Sequence, residues 1–128
     1  MKRALLALAL LLAAACGGHE NPDDQGFHSA FAKTRAGAEV TFDATLLQDP
    51  VQSGSHEQLL VRAATGERLE VDHNLGLAPW VPAHLGDSLV VHGQLYFDHA
   101  AGVHCTHAHT SKGCPYPGWV RLGETYYE

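Results

Sequence analysis

The chain holds ten histidines in 128 residues, and His92, His99, His104, His107 and His109 fall inside one eighteen-residue stretch. Neutral imidazole is the commonest metal-ligating side chain, and a cluster of such nitrogens at about 2.0–2.1 Å would suit zinc or copper. On an extended strand His107 and His109 share a face, about 6–7 Å apart, near enough for one ion. His104 has the opposite parity to His107, so a site using both requires a bulge or loop, which Cys105, Lys112, Gly113 and Pro115 favour. His56 opens one candidate strand and His73 closes the next, which in an antiparallel pair places both at the same end of the sheet. The expected metal set is therefore His56, His73, His104, His107 and His109, binding a divalent transition ion. Two other uses of these residues stand beside it. The cluster could polarise water or the oxygen of a phosphodiester or ester, with Asn74 or Glu57 assisting, which would make the chain a hydrolase. Alternatively, the histidines form an internal hydrogen-bond network and the chain binds an envelope protein or glycan through Trp80, Trp119, Tyr126 and Tyr127. His19, His28, His84 and His99 are expected to be solvated. No C-x-x-C, H-E-x-x-H, G-x-S-x-G or P-loop occurs, and the serines lack a nucleophile elbow.

The first residues say where such a site would work. Lys2 and Arg3 precede an apolar run from Ala4 to Ala15, then Cys16 and Gly17, so residues 1–15 are expected to be a signal peptide. Twelve apolar residues in a helix cover about 18 Å, short of a hydrocarbon core of about 30 Å. Ala13-Ala14-Ala15-Cys16 resembles a lipobox in which Ala13 replaces the usual aliphatic residue. The expectation is a lipoprotein, anchored to the bilayer through acylated Cys16 and facing the periplasm from the outer membrane; ordinary cleavage at the same bond is the alternative. Residues 16–37, polar and turn-prone as far as Phe27, are expected to form the lipidated N-terminus and a flexible tether. Of 8 basic residues, loss of Lys2 and Arg3 leaves 6 against 14 acidic ones, a formal −8 that argues against nucleic acid. In an oxidising compartment Cys105 and Cys114 are expected to pair as a disulfide, a pair of thiolate ligands being the alternative.

Short alternating strands must position these side chains. They run over Val40–Leu47, His56–Ala63, Arg68–His73 and Ser88–Phe97, with further strand at Val103–His107, Gly118–Leu122 and Thr125–Tyr127. Thr65-Gly66 joins the second and third as a hairpin. Pro79 and Pro82 make Leu75–Leu85 an irregular connector with room for one helical turn, and Gly93 marks a bulge or closure point. There is no internal repeat and no sustained helical periodicity. These elements predict an all-β domain over residues 38–128: a small closed barrel of five or six strands, OB-like, the irregular connector lying between the third and fourth. A small sandwich would show similar spacing.

The run His73-Asn-Leu-Gly-Leu-Ala-Pro79, then Leu85-Gly-Asp87, Gly102-Val-His-Cys-Thr-His107 and Gly118-Trp-Val resembles a bacterial family of short exported proteins, domain of unknown function 3465. The resemblance covers about residues 38–127. It marks His56, His73, Asn74, His104, Thr106 and His107 as family positions and implies a shared site there without implying an activity. Cys105 stands where the family has tryptophan, Ala108 where it has a second histidine and His109 where it has aspartate. The disulfide is thus expected to be a local addition.

Overall fold

A computed structural model of the chain describes residues 18–128; the segment expected to be a signal peptide, and Cys16, lie outside them. Eight strands follow one helix: α1 (Asp24–Ala32), β1 (Glu39–Leu46), β2 (Val51–Ser53), β3 (His56–Ala63), β4 (Arg68–Asn74), β5 (Ser88–Phe97), β6 (Ala101–His104), β7 (Trp119–Leu122) and β8 (Thr125–Tyr127). Neighbouring strands pair in the order β1-β3-β4-β6-β5, and β5 pairs back onto β1, which closes a five-stranded barrel. All these pairings are antiparallel except β4 with β6. The all-β, OB-like barrel expected from the strand spacing is what forms, and the sandwich is excluded by the closure. β2 is a short strand on the edge of β3, and β7 with β8 forms an outer hairpin against β5.

Period-two alternation builds the interior. Phe42, Ala44 and Leu46 of β1, Leu59 and Val61 of β3, Leu69 and Val71 of β4, and Leu89, Val91 and Leu95 of β5 all point inward and are buried. Two segments close the ends. The connector after β4 covers one end with Val81 and Ala83. The other is covered by α1, where Phe27 stacks on Phe42 with ring centroids 4.1 Å apart and Phe31 meets Phe97 edge-on at 5.5 Å.

The helix corrects the sequence reading, which placed residues 24–32 in a flexible tether and found no helical periodicity. Asp23 caps it, its carboxylate accepting from the Gly26 N–H at 2.9 Å. Phe27, Ala30 and Phe31 share one face at i, i+3 and i+4 and join the barrel core. The Asp23 N–H also donates to the Thr41 carbonyl at 2.8 Å, fixing the helix to β1. The folded unit therefore begins well before residue 38.

β6 and β7 both lie beside β5, on successive stretches: Gln94 to Phe97 face β6, and Leu89 to His92 face β7. Residues 105–118 are an excursion from that seam, stapled at its base by the Cys105–Cys114 disulfide and by the Gly118 N–H donating to the His107 carbonyl at 2.9 Å. The expected break in the strand falls at Cys105, whose φ of +60° bends the chain out of line. Gly93 is the closure point because a Cβ there would stand 2.5 Å from the His104 carbonyl oxygen.

Candidate functional site

The seam and the connector together place the family's marked residues at one end of the barrel. In the β3–β4 register His56 stands opposite Asn74, and Glu57 opposite His73, so both histidines reach the same rim, as their places in the hairpin imply. Parity then separates them. Glu57 and His73 point into the barrel and are fully buried, whereas His56 and Asn74 are half-buried on the outer side. The bend at Cys105 turns Thr106 and His107 inward, at 0 % and 3 % exposure, and leaves His104 half-buried on the outer wall.

Each imidazole is held differently. His73 Nε2–H donates to the Pro79 carbonyl at 2.9 Å, which leaves Nδ1 to accept from the Thr106 hydroxyl at 2.8 Å. Its two nitrogens are thus engaged within the protein. Burial holds His73 below the ordinary histidine value, with smaller contributions in the same direction from His107 and His56, against the upward pull of the Pro79 carbonyl. His107 Nδ1–H donates to the His109 carbonyl at 2.7 Å, and Nε2 is left with its lone pair and no hydrogen-bond partner among the described residues. His104 Nε2–H donates to Gln94 Oε1 at 2.9 Å, which leaves Nδ1 with no hydrogen-bond partner among the described residues. It too is held low, first by burial, then by His107 and His56, while Asp72 and Asp98 pull it upward. Among the described residues His56 makes only a long 3.3 Å side-chain contact, between Nδ1 and the Ser55 hydroxyl.

His56, His73, His104 and His107 therefore lie within electrostatic reach of one another at one rim. Among the described residues, however, no three His, Cys, Asp or Glu side chains are arranged to hold one metal ion. His109 does not join them as a side chain: its ring is exposed and its contribution is the carbonyl that orients His107. Cys105 and Cys114 are bonded to each other, with Cα atoms 5.4 Å apart, so neither is a thiolate ligand. Glu57 Oε1 accepts from the Val81 N–H at 2.7 Å, Oε2 is buried without a partner among the described residues, and burial pushes the carboxyl up to about 7. Asn74 Oδ1 accepts from the Gly76 N–H at 2.9 Å and so shapes the turn into the connector. Beside His104 an open hollow of about 330 Å³ is lined by Glu70, Asp72, Tyr96, Asp98 and His99.

Two of the histidines expected to be solvated are engaged. His19 stacks on Tyr126 with centroids 3.5 Å apart and bonds Glu128 at 2.9 Å; His28 bonds Glu67 at 2.6 Å. All four of these histidines, His84 and His99 included, are exposed, as expected. Trp119, one of the residues considered for a partner surface, is 2 % exposed and cannot serve, while Trp80 is open on the connector.

A further polar cluster, missed in the sequence, surrounds His92 on β5 with Thr41 and Glu39 of β1. Its trace in the sequence was parity, since Glu39, Thr41 and His92 all occupy outward positions of their strands. The β1–β5 closure that joins them was not visible there.

No curated protein matches the chain. Residues 8–128 match the family model described as "Protein of unknown function (DUF3465)", and the chain belongs to that family.

Proposed function

We propose that the chain is an exported, lipid-anchored envelope protein whose histidine rim binds a divalent transition metal, zinc or copper, through His107 with His56 and His104. One observation carries this reading. The His107 ring is buried and oriented by its Nδ1–H bond to a backbone carbonyl, which leaves Nε2 as an unpaired donor, the usual posture of a ligating histidine. His104 Nδ1 and the His56 ring are the neighbouring free donors, and binding draws these half-buried rings toward His107. Asp72 and Asp98 beside His104 make the approach attractive to a cation. His73 and Thr106 hold the excursion in place and are not ligands here. The export and anchor rest on Lys2, Arg3, the apolar run and Cys16.

The test is metal stoichiometry and calorimetry on untagged protein. One zinc or copper ion per chain is expected, with His107→Ala weakening it at least about tenfold and His109→Ala, which keeps the carbonyl, leaving it unchanged. Absence of stoichiometric binding, or equal binding by His107→Ala, overturns the metal reading. An unmodified Cys16 in the mass of the mature protein would overturn the anchor. The full use of both His73 nitrogens favours a second reading, a structural network beneath a partner-binding face. That face would be the connector, where Leu77, Trp80 and Leu85 are exposed.

A further inference from the structure

The His92 cluster lies outside the histidine rim and has a cavity of its own. Thr41 and His92 are partners across the β1–β5 pair, and the His92 side chain is 8 % exposed. Nδ1 and the Thr41 hydroxyl are hydrogen-bonded at 2.7 Å. Nε2 makes no hydrogen bond among the described residues and faces Glu39 Oε2 at 3.4 Å, while Glu20 Oε2 stands 3.7 Å from Nδ1. Both Glu39 carboxyl oxygens are shielded from solvent and have no hydrogen-bond partner among the described residues. Burial, and then Glu20, push the Glu39 carboxyl up to about 7. These groups line an open cavity of about 380 Å³ walled by Tyr116 and Pro117. A second hollow of about 260 Å³ shares Glu20 and Pro117 and adds His19, Trp119 and Glu128. Among the described residues no lysine or arginine lines either one.

Carboxylates that face no lysine or arginine among the described residues, only a His92 ring that burial holds below the ordinary histidine value, and that are set beside aromatic walls, are the complement of a compact organic cation. Its positive charge would pair with the exposed Glu20 carboxylate and, by a turn of the partly exposed Glu39 side chain, with the Glu39 oxygens, and its carbon skeleton would rest on Tyr116 and Pro117. A metal ion fits less well, because Glu20 and Glu39 approach different nitrogens of the His92 ring and do not converge with one of them. We propose that this cavity binds an organic ammonium ion between Glu39 and Glu20, with Tyr116 beside it.

The experiment titrates the full chain with ethanolamine and with tetramethylammonium chloride, following the His92 ring resonances by NMR, with sodium chloride at matched ionic strength as control. Saturable shifts are expected with at least one amine and not with sodium. The double variant Glu20→Gln/Glu39→Gln should weaken binding at least about tenfold, and Asp98→Asn, outside the cavity, should leave it unchanged. No saturable shift up to about 100 mM, an equal response to sodium, or undiminished binding by the double variant overturns the proposal. Should the double variant fail to fold, Tyr116→Ala at an exposed position takes its place, with a loss of about threefold or more expected and unchanged affinity again overturning it.

Discussion

His73 is a histidine spent on structure. Its ring ties β4 to the connector through Pro79 and to the excursion through Thr106, so three segments distant in sequence meet on one side chain. Thr106→Val keeps the volume and strands a buried ring nitrogen, which should cost about 1–3 kcal/mol in urea unfolding; His109→Ala should stay within about 0.5 kcal/mol. Glu39 supplies a pH signature. Its folded-state value near 7 exceeds the ordinary 4.5, so the folded chain holds a proton that the unfolded chain has released. That contribution is complete below about pH 4.5 and is lost as pH rises through 7. Glu39→Gln should therefore match the parent near pH 4.5 and exceed its stability by about 1–2 kcal/mol at pH 8, the range allowing for partial exposure of the side chain. His73, His92 and His104, all held low mainly by burial, act in the opposite sense, costing stability as pH falls below the ordinary 6.5.

At the level of elements, the strands were legible because period-two alternation survives in β1, β3, β4 and β5, and the connector because two prolines interrupt it. α1 was not, since nine residues provide little periodicity and the acidic, proline-bearing stretch before it suggested a tether. The signal was nonetheless present in the Asp23 cap and the Phe27, Ala30, Phe31 spacing. Phe27→Ala should cost about 3–5 kcal/mol, measured by thermal or urea unfolding, where a tether residue would cost nothing. Parity showed that His104 and His107 could share a site only through a break between them, and Cys105 provides it. What parity could not show was which imidazole nitrogens would be occupied, because Pro79, Gln94 and the His109 carbonyl come from backbone paths that only the closed barrel defines. Gly118 marks the tightest of these paths. A Cβ there would sit 1.9 Å from the Cys105 carbonyl oxygen, so Gly118→Ala must push β7 away from the excursion, at a cost of about 1–3 kcal/mol or more.

In the whole molecule the disulfide and the closed barrel divide the task of fixing the rim: the barrel aligns β3 and β4, and Cys105–Cys114 confines the segment carrying Thr106 and His107. The bridge spans nine residues, and Cys114→Ser should lower stability by about 2–3 kcal/mol on the chain-entropy account, read from urea unfolding with and without reductant.

The docking of His19 on Tyr126, Trp119 and Glu128 has a further geometric consequence. Only Gly17 and Gly18 separate His19 from Cys16, three chain steps with a reach of at most about 11 Å. An acyl chain on Cys16 would then act as a short pivot in place of a long leash. The protein would patrol a thin layer beside the bilayer, with the side that carries His19 and Tyr126 turned toward the headgroups, and would meet its ligands by diffusion in two dimensions.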